Sequence, residues 1–111
     1  MDNRLKRQRD FDTVFSTGKR VYSDNLTMIY VERRSGITKI GISISKKHGK
    51  AVQRNRIKRL IRAVYIPIIS EIKSPYFIVF MPKVSEGYSF SEFKKSIGYL
   101  LKKENLINED L

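Results

Sequence analysis

Between Lys46 and Arg62 the chain reads KKHGKAVQRNRIKRLIR, with eight Lys or Arg and no carboxylate in 17 residues. Cationic groups at this density repel one another unless a polyanion lies across them. Lys46, Lys47 and Lys50 form a short basic loop. Arg54, Asn55, Arg56, Lys58, Arg59 and Arg62 follow on what the spacing predicts to be a single helix. A guanidinium grips phosphate oxygens through two parallel hydrogen bonds, and an Asn amide both donates and accepts at a sugar or base edge. The chemistry on offer is recognition of a phosphate backbone, and RNA is the polyanion it points to.

Bond-breaking chemistry is much less well equipped. His48 is the single histidine and there is no cysteine, so neither a Cys/His pair nor a His-rich metal site can be assembled. Asp10 and Asp12 fall on opposite sides of any helix, while Asp2 and Asp24 lie near the terminus and in a loop. The loop Lys46-Lys47-His48-Gly49-Lys50 lacks the spacing of a phosphate-binding P-loop, which removes a nucleotide-hydrolase reading. Its amides, near a helix N-terminus, still offer an anion site. No catalytic or metal-ligating residue is assigned in this chain.

The elements that hold these groups follow from periodicity. At about 100° per residue with Arg54 at zero, Ile57, Leu60, Ile61, Val64 and Ile68 fall within an arc of about 240–340°. Lys58, Arg62, Asn55, Arg59 and Arg56 occupy about 40–200°. The helix, predicted from near Ala51 to at least Ile66 with Pro67 as its end or kink, is therefore divided into a core stripe and a cationic ridge. A solvated helix face would normally mix signs, since Glu–Lys pairs four residues apart aid the helix. Here no acid stands between Glu32 and Glu71.

A first helix is predicted over about Gln8–Ser16, with Phe11, Val14 and Phe15 on one face and Gly18 as its stop. Strands are predicted at Asn25–Glu32, at Lys39–Ser45 and at Tyr76–Met81, with a further short one around Lys19–Tyr22. Arg33–Gly36 supplies a turn. In the second of these strands Ile40, Ile42 and Ile44 share a face, and Gly41, Ser43 and Ser45 leave the other nearly bare, open to close approach by another chain. The run YFIVFM is apolar throughout, as a central strand covered on both sides would be. Ser89 and Glu92 form a capping box before a last helix whose predicted stripe is Phe90, Phe93, Ile97, Leu100 and Leu101, with Asn105 at its end. The fold class is α+β, a small mixed sheet of about four strands packed with helices in the order α-β-β-β-α-β-α.

A length of 111 residues allows one domain, 1–111, with one core. Net charge is +12, and its placement matters more than its size. Residues 1–62 carry 17 Lys/Arg against 5 Asp/Glu, whereas residues 63–111 carry 6 against 6. The field is one-sided, which favours a phosphate backbone. Absence of cysteine fits a reducing compartment. The N-terminus MDNRLKRQRD has no apolar stretch of a secretory signal, and no apolar run approaches the roughly 20 residues of a membrane span. A cytoplasmic protein without a membrane partner is expected. Phe11, Phe15 and Tyr30 have two readings on periodicity alone, core packing or a cleft where rings stack on unpaired bases.

Ile40–Lys47, Gly49-Lys50-Ala51-Val52, and Arg54-Asn55-Arg56-Ile57-Lys58-Arg59 with Arg62 closely resemble the signature of the bacterial ribonuclease P protein subunit. Leu5–Gly18 is similar to the family's first helix, and Phe90–Ser96 to its last, so the resemblance covers nearly the whole chain. It implies a left-handed βαβ crossover around the basic helix. It also implies two partners: the catalytic RNA of ribonuclease P and the 5′ leader of precursor tRNA. In that holoenzyme the RNA, with Mg2+, carries the hydrolysis, and no obligate protein partner is implied. By position, Arg54, Asn55, Arg56, Lys58, Arg59 and Arg62 match the RNA-contacting motif, and Phe11, Phe15 and Tyr30 match a leader-binding cleft; the bare strand face at Gly41, Ser43 and Ser45 would suit the floor of such a cleft. His48 departs from the aliphatic or aromatic residue usual at its place, and Pro67 interrupts the helix. The alternatives are a stand-alone RNA-binding or ribosome-associated protein and, further off, a self-sufficient nuclease.

Overall fold

The computed structural model describes residues 2–108. Helix α1 (Gln8–Thr17) leads into strands β1 (Lys19–Tyr22), β2 (Leu26–Glu32) and β3 (Lys39–Ile42). A one-turn 3-10 segment, Lys46–His48, precedes helix α2 (Ala51–Tyr65). A longer 3-10 segment, Ile66–Glu71, follows it, then strand β4 (Tyr76–Pro82) and helix α3 (Phe90–Lys103). This is the expected α+β order, and the short strand at Lys19–Tyr22 is present.

The sheet runs β1-β2-β4-β3. β2 pairs antiparallel with β1 and β4, while β3 lies parallel to β4, so α2 is the crossover between two neighbouring parallel strands. The N-terminal segment extends the sheet edge: the Leu5 amide donates to the Ile40 carbonyl at 3.0 Å and the Ile40 amide to the Asn3 carbonyl at 2.8 Å. β4 is apolar throughout because both of its faces are covered. Ile78 and Phe80 join Leu26, Met28 and Ile40 beneath α2 and α3. Val79 joins Ile29 and Leu5 beneath Val14 of α1.

Several local expectations are revised. Gly18 ends α1 without a left-handed turn, at φ −75°. It is glycine for lack of room: a Cβ there would lie 2.5 Å from the Val14 carbonyl and 2.7 Å from Ile29. β3 stops at Ile42 rather than Ser45, because Ser45 turns out of the sheet to cap the Lys46–His48 segment. α2 gives way to 3-10 geometry after Tyr65, where Pro67 has no amide to continue the ladder. Ser89 Oγ accepts the Glu92 amide at 3.2 Å, which is half of the predicted capping box. Phe90 is 41% exposed and does not belong to the buried stripe of Phe93, Ile97, Leu100 and Leu101. α3 closes as predicted near Asn105, whose φ of 61° allows paired bonds from Asn105 to Lys102 and from Leu106 to Leu101.

Candidate nucleic-acid interface

α2 is anchored by Ile57, Ile61, Val64 and Tyr65, all buried, with Leu60 at the margin. The stripe follows the predicted arc except for Tyr65, which was not in it. Its ring stacks at 28° and 6.3 Å on Phe80, and burial pushes its phenol pKa up. With this stripe held against the sheet, Asn55, Arg56 and Arg59 are fully outward, while Arg54, Lys58 and Arg62 lie half-buried along one flank.

The basic loop is fixed from both ends. Gly49 adopts φ 109°, a left-handed conformation that a side chain would resist, and Gln53 Oε1 accepts the Lys50 amide at 3.0 Å. His48 ties the loop to the sheet. Its Nε2 contacts the Pro82 carbonyl at 2.7 Å and its Nδ1 lies 3.2 Å from the Ser45 amide. Lys46, Lys47 and Lys50 project from this braced turn into solvent.

Among the described residues the ion pairs are Lys6–Asp2, Arg7–Asp10 and Lys19–Glu104. None involves the loop or α2, so all eight cations of the run remain without a carboxylate. Arg62 Nε is buried and has no hydrogen-bond partner. Its guanidinium lines two openings. One is a shallow groove of about 580 Å³ on the outer side of α2, shared with Asn55 and Arg59. The other is a cleft of about 170 Å³ at the β3 edge, where Lys58 and Arg62 face Arg4 and Phe11 across Gly41.

The predicted aromatic cleft is divided by the sheet. Phe11 and Phe15 lie on the α1 face, with ring centroids 6.4 Å apart, and the Arg20 guanidinium stands 6.0 Å from the Phe15 ring. The Phe11 ring sits on Gly41, where a Cβ would come within 2.5 Å of it. The bare strip of β3 is thus occupied at Gly41 by the chain's own ring. Tyr30 lies on the opposite face, since alternation along β2 places it with Leu26 and Met28 rather than with Ile29. Its hydroxyl donates to Glu104 Oε1 at 2.6 Å, and its ring meets Tyr76 edge-on. Burial, then the Glu104 carboxylate, hold the Tyr30 pKa well above the usual phenol range. Lys19 and Tyr30 together hold Glu104 below the usual carboxylate range. Arg4 and Tyr65 at the edge cleft were missed, because one of several charges near the N-terminus and an aromatic beside an apolar stripe carry no distinctive spacing.

No three His, Cys, Asp or Glu side chains among the described residues converge as a metal site, and none of their helices is long and apolar enough to cross a membrane. A small α+β fold bearing a carboxylate-free cationic helix defines an RNA-binding protein by class. The ribonuclease P family model matches residues 1–105. The ribonuclease P protein component of Clostridioides difficile is 38% identical over 104 residues, covering 92% of this chain and 91% of that protein. Its counterpart in Streptococcus pyogenes is 32% identical over 106 residues, covering 96% and 89%. The solved ribonuclease P protein of Staphylococcus aureus superimposes with TM-score 0.86 at 26% identity, covering 97% of this chain and all of that one. That of Thermotoga maritima gives 0.80 at 27% identity, covering 90% and 96%. The chain belongs to the ribonuclease P protein family, whose members are protein subunits of a tRNA-maturing endoribonuclease.

Proposed function

We propose that Asn55, Arg56 and Arg59, with Arg54, Lys46, Lys47 and Lys50 beside them, dock this subunit on the catalytic RNA of ribonuclease P. The β3 edge cleft then receives the unpaired 5′ leader of precursor tRNA. The observation that carries the reading is the run of eight cations on one braced loop and helix, without a carboxylate partner among the described residues. Such a face releases counterions when phosphates replace them.

In the cleft, a leader phosphate would be held among the Lys58, Arg62 and Arg4 cations. Phe11 offers ring surface for its bases beside those cations, and Phe15 continues that surface toward Arg20. Tyr30 takes a different part from the one expected of it, since it fastens the end of α3 through Glu104. Hydrolysis is assigned to the RNA. Mg2+ keeps several of its waters and is commonly held through phosphate oxygens, which the RNA supplies. In this reading the ion belongs to the RNA, and the protein positions substrate.

The test combines the purified chain, bacterial ribonuclease P RNA and precursor tRNA at low Mg2+. Stimulated 5′ maturation is the expected result. Absence of stimulation, with RNA binding intact, would leave a stand-alone RNA-binding protein. Cleavage without added RNA would place the chemistry in the chain and overturn the assignment.

A further inference from the structure

A second surface, on the far side of α3, belongs neither to the α2 ridge nor to the β3 edge cleft. Tyr99 and Lys95 form a ridge between two grooves. On one side lies an opening of about 650 Å³ bounded by Tyr22, Asp24, Asn25, Glu92 and Ser96. On the other lies one of about 620 Å³ bounded by Phe90, Lys94, Gly98 and Lys102. Tyr22, Phe90 and Tyr99 are 60%, 41% and 54% exposed, three aromatic rings left in water around one helix face. Lys94, Lys95, Lys102 and Lys103 have no carboxylate partner among the described residues. The Lys103 ammonium instead stands 5.7 Å from the Tyr99 ring centroid.

Gly98 supplies an independent observation. It lies inside α3, where glycine loses more backbone freedom than any other residue. At Gly41 packing excludes a side chain, but a Cβ built at Gly98 meets nothing within 4 Å. No intramolecular contact accounts for the missing side chain. Its effect is to lower the floor of the second groove between Lys94 and Lys102, so that a ligand can approach the helix backbone there.

We infer that this face binds a single-stranded segment of RNA, separately from α2. Phosphates follow Lys94, Lys95 and Lys102 over Gly98, and a base stacks on Tyr99 in the groove that Tyr22 closes. The charge pattern selects this occupant. Lys94, Lys95 and Lys102, unpaired with any described carboxylate, match beside exposed rings the alternation of phosphate and base in an unpaired strand. Asp24 and Glu92 stand at the base end, where carboxylates accept hydrogen bonds from exocyclic amino groups. Cytosine and adenine are therefore favoured over uracil.

The probe is a short oligocytidylate, added to full-length protein carrying Arg56→Glu and Arg59→Glu to suppress the α2 face, and followed through backbone amide NMR shifts. The Gly98 and Tyr99 amides are expected to move, and oligouridylate to bind more weakly. Tyr99→Ala should lower affinity about fivefold or more, the low end for a stacked base. Gly98→Leu, which fills the groove from a position with open space around it, should weaken binding while the core resonances stay in place. Loss of all binding once α2 is suppressed would overturn the inference, as would shifts confined to residues other than these. Unchanged affinity in Gly98→Leu would do so too. Concentration-dependent broadening at Gly98 and Tyr99 without RNA would assign the face to a second copy of the chain instead.

Discussion

α2 and α3 pack against each other on one face of the same sheet and bury similar aliphatic stripes, yet their outer faces obey opposite rules. α3 is locally favourable at both ends. Ser89 caps it, Glu92 stands in its first turn, and Lys102 and Lys103 stand in its last, all complementing the helix dipole. α2 has no acid in its first turn and is preceded by a basic loop, so cations crowd the positive end of its dipole. It also forgoes the Glu–Lys pairs that would aid it. Packing therefore accounts for both helices, but only α3 has side-chain charges that match its dipole at both ends. On the proposed reading, α2 is completed by the RNA that docks on it.

If the two stripes are equivalent, Ile57→Ala and Ile97→Ala should destabilise alike, each by about 2–5 kcal/mol as buried aliphatic truncations do. Both side chains are essentially inaccessible, at 1% and 0% exposure. Chemical denaturation reads the effect, and tolerance of either change would mean that its helix is held by something other than this core.

The next largest effect belongs to the polar tie at the end of α3. Glu104 receives Lys19 at 2.8 Å and the Tyr30 hydroxyl at 2.6 Å, and its side chain is only 8% exposed. Glu104→Gln should cost about 1–3 kcal/mol, the usual loss when a buried partner is removed. Because the folded pKa of Glu104 is depressed, its contribution is present above the unfolded value of about 4.3 and disappears as pH falls through the folded value. The stability gap between wild type and variant should close on acidification. A gap that stays constant down to acid pH would show that the charge of Glu104 is not what matters.

Arg59→Ala separates binding from folding on α2. Its side chain is outward and unpaired, so stability should stay within about 0.5 kcal/mol. The slope of log affinity for RNA against log salt should flatten by up to about one unit per lost phosphate contact. An unchanged slope would remove Arg59 from the interface, while a large loss of stability would return it to the fold.

The amino-acid sequence carried the element order, the two-faced α2, the two-sided β4 and the glycine–asparagine punctuation, because each rests on local periodicity or a single turn. It did not carry which helix covers which face of the sheet. Tyr30 and the pair Phe11 and Phe15 are ordinary inward-facing residues of their own elements, and only the landing of α1 opposite α2 and α3 separates them. Nor did it mark Glu104, one of six acids in the electrically neutral part of the chain, as the partner of a lysine 85 positions earlier. The edge cleft was hidden for a related reason. Arg4 reads as one charge among several near the N-terminus and Leu5 as the start of the first helix, and backbone pairing with Ile40, which has no side-chain signature, brings them to Lys58 and Arg62.

The smallest change tests whether α3 is as favourable along its length as at its ends. Gly98 is the one position of that helix where the local rule is broken, and no neighbour would come within 4 Å of a methyl group there. If nothing but helix propensity acts at this point, Gly98→Ala should raise stability by about 0.5–1 kcal/mol. The gain should appear in the unfolding rate or midpoint of the free protein, where no RNA is present to prefer the glycine. A neutral or destabilising result would mean that an alanine methyl is not as free at this site as its surroundings indicate. A gain would leave the glycine costly to the free fold, and the reason for it would then have to lie outside the folded chain, as the proposed function has it for the cations of α2.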